Sequence, residues 1–182
     1  MRRAAFIDRD GVINRALVRG GRPFAPVTTD ELVILPGVAE ALLTLRAAGF
    51  LNIVVTNQPD IATGKQRPEV LDAMHSRLTT ELALDAIRVC PHVDADNCAC
   101  RKPKAGLLLD AAREFDITLT KSYMVGDRWR DIAAGQTAGC KCYFVDYGYG
   151  EKRPEKPYFE VKSLRDAVGK ILSDDGFDLG GS

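Results

Sequence analysis

The chain lacks an excess of charge of either sign. Lys+Arg and Asp+Glu both number 25, so no basic field exists to steer a nucleic acid or an anionic membrane, and neither partner is expected. No apolar run approaches the ~20 residues of a membrane span. The apolar stretch after Arg2 and Arg3 is too short for a secretory signal, which makes the cytosol the expected compartment. No internal repeat is visible. Cysteine is scarce, with five in 182 residues, and in a reducing compartment these should stay unoxidised. What is abundant is apolar: 46% of the residues are hydrophobic, enough for one domain with a full core.

Short apolar runs alternate with helical periodicity. Ala4 to Ile7, Ile53 to Thr56, Ala86 to Val89, Tyr123 to Val125 and Cys142 to Val145 read as five buried strands. Helices are expected over Gly37 to Ala48, where Val38, Ala41, Leu42 and Leu45 form a stripe, and over Pro68 to about Leu82, Ala105 to Phe115, Asp131 to Ala138 and Ser163 to Leu172. This order predicts an α/β fold: a Rossmann-like parallel sheet with helices on both faces and ligands at the carboxyl ends of the strands. Arg15 to Thr29, with Gly20-Gly21 and two prolines, reads as a loop or hairpin over the site. Ser173 to Ser182 is Asp/Gly-rich and reads as a frayed tail, leaving 1–172 as a single domain.

Two carboxylates, Asp8 and Asp10, stand one residue apart just past the first strand. Such a pair repels unless a cation sits between them. Magnesium suits the role because it takes few protein carboxylates and leaves room for phosphate oxygens. An aspartate can attack phosphorus, and a second one can protonate the leaving oxygen and then activate water. Taken alone, Asp10-Gly11 is equally a common turn. Three further groups shift the balance. Thr56-Asn57-Gln58 follows the second strand, and its hydroxyl and amides can bond phosphate oxygens. Arg101-Lys102-Pro103-Lys104 offers cations, and Gly126-Asp127-Arg128-Trp129-Arg130-Asp131 follows the fourth strand. As isolated features these read as a polar loop, a solvated basic turn and a helix N-cap.

In that order the four groups resemble the motifs of the haloacid dehalogenase superfamily, over about Phe6 to Gly150. The resemblance implies a phosphatase with Asp8 as nucleophile and Asp10 as acid and base, while Thr56 and Lys102 hold phosphate. It implies magnesium at Asp8, Asp127 and the Asp10 carbonyl, with Asp131 one layer out.

Cys90, His92, Cys98 and Cys100 place four soft ligands in eleven residues. Three thiolates and an imidazole suit a closed structural zinc site, and the intervening Val93-Asp94-Ala95-Asp96-Asn97 has little else to order it. The alternative is a loop of free thiols. Cys140 and Cys142 are expected to be ordinary buried thiols, and His75 a surface residue. The zinc loop narrows the resemblance to the branch that holds the heptose 1,7-bisphosphate phosphatases and the histidinol-phosphatase domains, which lack a large cap. Arg9, Asn57, Gln58, Arg101 and Arg128 are the substrate-binding candidates. Pro59-Asp60 departs from the branch's usual glycine at 60, and Thr63 stands where the heptose enzymes usually carry arginine. Arg15, Arg19, Arg22 and Lys65 could replace that charge.

The resulting expectation is a magnesium-dependent phosphate-monoester hydrolase with a structural zinc. Its substrate would be a small phosphorylated sugar, with heptose 1,7-bisphosphate favoured because the arginines outnumber what one phosphate needs. The rival readings are histidinol phosphate hydrolysis and a non-catalytic zinc-stabilised interaction module. The oligomeric state is left open, with a monomer favoured.

Overall fold

The computed structural model describes residues 1–176. Six strands form one parallel sheet: β1 (Arg3–Ile7), β4 (Phe50–Asn57), β5 (Ala86–Cys90), β6 (Tyr123–Gly126), β7 (Lys141–Val145) and β8 (Phe159–Val161). Their order across the sheet is β5-β4-β1-β6-β7-β8. A small antiparallel hairpin, β2 (Leu17–Arg19) and β3 (Arg22–Phe24), lies within the irregular segment. The helices are α1 (Val38–Ala47), α2 (Pro68–Glu81), α3 (Gly106–Phe115), α4 (Trp129–Ala138) and α5 (Leu164–Asp174). No large cap is present among the described residues, and none of their helices is long and apolar enough to cross a membrane.

Two cores follow from strand geometry, because alternate residues of a strand face opposite sides. Ala5 and Ile7 of β1, Val54 of β4, Val125 of β6 and Val145 of β7 pack under α1, α2 and α5. Ala4 and Phe6 of β1, Val55 of β4, Met124 of β6 and Phe144 of β7 pack under α3 and α4. Every central strand is therefore buried on both sides. Apolar runs without clean alternation are the sequence signature of that arrangement.

Three elements differ from expectation. β4 starts at Phe50 rather than Ile53, because Asn52 is accommodated inside the strand. Its amide donates to the carbonyls of Leu42 and Ala83, at 2.8 and 2.7 Å. β8 carries no strand pattern in the sequence: it has three residues, and its Phe159 and Glu160 are exposed. The helix α5 runs to Asp174, so Ser173 and Asp174 belong to it rather than to a tail, while residues 177–182 of that expected tail lie outside the described residues.

Two carboxylates fix the end of α5. Asp174 accepts from Tyr143 Oη and Lys141 Nζ, both at 2.7 Å. Asp175 accepts from Tyr123 Oη at 2.8 Å and from the Arg3 guanidinium. Because these bonds involve charged groups, Asp175→Ala should cost about 1–2 kcal/mol in chemical denaturation. An unchanged midpoint would show that the α5 terminus contributes nothing to stability.

Candidate active site

The sheet order places the site. The chain leaves β1 toward β4 on one side and returns to β6 on the other. The crevice above β1 is thus a topological switch point, where open parallel sheets bind ligands. Asp8 is the first residue past β1, and its N–H donates to the Val125 carbonyl at 2.9 Å. Asp127 is the first residue past β6. Both carboxylates are buried.

Lys102 is buried with them. Its Nζ lies 2.6 Å from Asp8 Oδ1, 2.6 Å from Asp131 Oδ1 and 2.7 Å from the Val55 carbonyl oxygen. Asn57 holds the Lys102 backbone at two points: Nδ2 donates to the Lys102 carbonyl at 3.0 Å, and Oδ1 accepts from its N–H at 3.1 Å. One ammonium does not balance three acids. Burial, and then the Asp131 charge, push Asp8 up to about 7 against Lys102, which pulls it down. Burial and the Asp8 charge also hold Asp127 well above the usual carboxylate range.

One ligand oxygen each from Asp8, Asp127 and Asp131 lies within 4.8 Å of the other two. Asp131 is committed elsewhere, since Oδ1 meets Lys102 and Oδ2 accepts from the Arg128 N–H at 2.9 Å. Asp127 Oδ2 accepts from Tyr149 Oη at 2.9 Å, whereas Asp127 Oδ1 is buried without any partner. An orphaned, buried carboxylate oxygen beside a second carboxylate fits a divalent cation. Gly11 makes room for this packing. It adopts a φ of 92°, and a Cβ there would lie 1.9 Å from Asp127 Oδ2.

Asp10 faces the cleft with its carboxylate held by four donors. Arg9 contributes Nε at 3.0 Å and a terminal nitrogen at 3.1 Å, Asn14 Nδ2 lies at 2.9 Å and Gln58 Nε2 at 2.9 Å. Gln58 also donates to Thr56 Oγ1 at 2.8 Å, which leaves the Thr56 hydroxyl proton available for a phosphate oxygen. Arg9 is fully buried and does not line the cleft; its other terminal nitrogen lies 3.0 Å from His75 Nε2. The surface expectation for His75 is corrected accordingly. Burial, reinforced by the Arg9 charge, lowers its pKa to about 4.

The cleft encloses about 310 Å³. Its floor is Asp8, Asp10, Asn57, Lys102 and Asp131, and its walls include Arg22, Phe24, Asp60, Arg128, Arg130 and Glu151. Of the loop cations, only Arg22 reaches it; Arg15, Arg19 and Lys65 do not line it. Arg101 is also turned away, with Nε 2.7 Å from Asp94 Oδ1 and a terminal nitrogen 3.0 Å from the His92 carbonyl oxygen. Arg128 is paired with Glu151, with Nε 2.9 Å from Oε2. The sequence reading missed Tyr149, Glu151 and Arg130. Tyr149 and Glu151 follow the carboxyl end of β7, so the strand-end rule that found Asp8 and Asp127 could have drawn attention to them.

The four soft ligands converge. Cys90 Sγ lies 3.6 Å from Cys98 Sγ and 3.1 Å from Cys100 Sγ, and His92 Nδ1 lies 3.6 and 3.4 Å from the sulfurs of Cys90 and Cys100. Edges of a tetrahedron built on zinc–ligand bonds of about 2.0–2.3 Å would be about 3.3–3.8 Å; the separations here, 3.1–3.6 Å, are near that range, so the cluster is compatible with zinc. Cys140 and Cys142 are buried and unpaired, as expected.

The raised carboxylates fix a pH dependence. Between the ordinary aspartate value of 3.8 and about 7, folded Asp8 binds more protons than unfolded Asp8. Its contribution to stability is therefore present below the lower value and lost as pH rises through the upper one. A divalent cation would replace those protons. In thermal melts, such a cation should raise Tm more at pH 7.5 than at pH 5. An equal or reversed effect would show that the acid cluster does not bind it.

Comparison with known proteins agrees with this geometry. A family model described as HAD-hydrolase-like matches residues 99–167. The D-glycero-beta-D-manno-heptose-1,7-bisphosphate 7-phosphatase of Bordetella bronchiseptica is 38% identical over 155 residues, covering 81% of this chain and 82% of the relative. The Pseudomonas aeruginosa protein of the same name is 34% identical over 92% of this chain and 94% of its own length. The crystal structure of the D,D-heptose 1,7-bisphosphate phosphatase from B. bronchiseptica, complexed with magnesium and phosphate, superposes with a TM-score of 0.82 at 31% identity, over 94% of this chain and 99% of that one. The chain belongs to the haloacid dehalogenase-like hydrolases, in the family of the heptose-1,7-bisphosphate 7-phosphatases.

Proposed function

We propose that the chain hydrolyses the 7-phosphate of a D-glycero-D-manno-heptose 1,7-bisphosphate through an aspartyl-phosphate on Asp8. The observation that carries this is the Asp8–Lys102–Asp131 network at the floor of the cleft, with an unpartnered Asp127 oxygen beside it. The relatives supply the substrate class.

Lys102 engages Asp8 Oδ1, leaving the other oxygen to attack phosphorus. The Asp8–phosphorus bond forms as the ester oxygen leaves, and Asp10 in its acid form protonates that oxygen. Water then attacks the phosphorus while Asp10 takes its proton, releasing inorganic phosphate and restoring Asp8. The four donors around Asp10 hold its carboxylate in place at the cleft. Thr56 Oγ1 and Lys102 Nζ are the phosphate-holding groups. Asp8, Asp127 and the Asp10 carbonyl are the groups for magnesium, which would screen the repulsion between nucleophile and phosphate dianion.

The arginine count that favoured a bisphosphate from sequence is smaller in the folded chain. Arg101 is tied to Asp94, Arg128 is paired with Glu151 and Arg130 meets Asp94, while Asp60 and Glu151 add negative charge to the cleft. The cleft cation left without an ion pair among the described residues is Arg22. We assign it to the distal phosphate.

Heptose 1,7-bisphosphate should exceed histidinol phosphate in kcat/KM by about tenfold or more, since a bidentate charged contact is worth ~1.5–3 kcal/mol. Arg22→Ala should erase most of that margin through KM, and Asp8→Asn should abolish turnover. A preference for histidinol phosphate would overturn the substrate, whereas substantial activity in Asp8→Asn would overturn the mechanism.

The Cys/His cluster is read as a structural zinc site. The carbonyl of its His92 and its loop residue Asp94 fix Arg101, and Asp94 also holds Arg130, whose terminal nitrogen approaches the Lys102 carbonyl at 3.5 Å. One zinc per chain should survive dialysis against a weak chelator, and stripping it should loosen the 90–104 segment in hydrogen exchange. Purified protein without zinc but with full protection of that segment would contradict this reading.

A further inference from the structure

The segment after β7 makes more contacts with the site than the catalytic account uses. Tyr147 Oη donates to the Gly11 carbonyl oxygen at 2.9 Å, and Tyr149 Oη donates to Asp127 Oδ2 at 2.9 Å. The Gly150 N–H donates to the Gly21 carbonyl at 2.8 Å, which ties the segment to the β2–β3 turn. Glu151 pairs with Arg128. Residues 147–151 thus form a strap joining the cleft wall to a metal-site carboxylate.

Asp127 is the member of the acid cluster that depends on this strap. Asp8 and Asp131 share Lys102, and Asp131 is fixed further by the Arg128 N–H. Asp127 has no cation on its carboxylate. One side of Oδ2 lies against the α-carbon of Gly11, where no side chain could fit, and the phenol of Tyr149 is its hydrogen-bond donor. The Tyr149 ring is itself braced, stacked on Tyr147 at 5.5 Å between centroids. With Oδ2 occupied in this way, the buried and unpartnered Oδ1 is the oxygen left for a cation.

We propose that Tyr149 is a positioning residue for the magnesium site: its hydroxyl locks the Asp127 carboxylate with Oδ2 turned away and Oδ1 presented as the ligand. The inference rests on the magnesium reading given above. Outer partners of metal ligands typically change affinity by about 10–100-fold when removed, because an unlocked ligand must be ordered at the moment of binding.

The test is a magnesium titration of purified protein, followed by calorimetry and by the magnesium-induced rise in Tm, on wild type, Tyr149→Phe and Glu151→Gln. Tyr149→Phe keeps the ring and its stacking and removes only the donor. It should weaken magnesium by about tenfold or more while lowering the metal-free Tm by only a few degrees, the cost of one lost hydrogen bond in a chain of this size. Glu151→Gln releases Arg128 rather than Asp127, so its affinity should stay within about twofold, which separates loss of the donor from general loosening of the strap. Equal weakening in both variants would overturn the proposal, as would wild-type affinity in Tyr149→Phe, with the metal site left standing. If wild type itself shows no magnesium response, the metal reading and the proposal fall together. Should Tyr149→Phe fail to fold, Tyr149→Leu also removes the donor, and unaltered affinity there would likewise overturn the assignment.

Discussion

The site depends on one buried ammonium. Lys102 Nζ meets Asp8, Asp131 and a backbone carbonyl at 2.6–2.7 Å, where the switch point of the sheet brings acidic strand ends together. Replacing it by a neutral residue would strand two buried carboxylates, a change that typically costs about 3–5 kcal/mol. Even with it, the cluster carries excess negative charge, which is why Asp8 and Asp127 are pushed upward. The fold supplies a place where further positive charge is favourable. A divalent cation bound between the acids would supply it.

Several otherwise separate features serve that ammonium. Asn57, at the end of β4, brackets the Lys102 backbone from both sides, which makes its amide part of the scaffold more than a free substrate ligand. Lys102 follows Cys100 by two residues, so the Cys/His cluster fixes the chain just ahead of it. Asp94 within that loop is gripped by Arg101 and Arg130, linking the loop to α4 and hence to Asp131. The wall of the cleft is tied in from the opposite side, through the Gly150–Gly21 bond.

The sheet and the acids were legible in the sequence for the same reason: strands buried on both faces read as apolar runs, and reactive groups sit where such runs stop. Asp8, Thr56 and Asp127 stand at those points, and the spacing of Cys90, His92, Cys98 and Cys100 announces a ligand set. What stayed hidden depends on side-chain direction. Arg101 and Arg22 are both arginines in segments without periodicity, yet one turns to Asp94 and the other to the cleft. Arg9 lies between two strand-end acids in sequence but folds inward toward His75, because Asp10 needs its donors from behind. β8 is too short, and too exposed at Phe159 and Glu160, to carry a strand pattern of its own.

The proposed mechanism requires a phosphoryl group on Asp8 during turnover. It is tested most directly by quenching the enzyme in turnover with a sugar phosphate, reducing the acyl phosphate with borohydride and locating the modified residue by peptide mass spectrometry. Conversion of the Asp8 side chain to an alcohol, dependent on substrate and on magnesium, is the expected result. Full turnover with Asp8 unmodified, or modification at Asp10 or Asp127 instead, would contradict it.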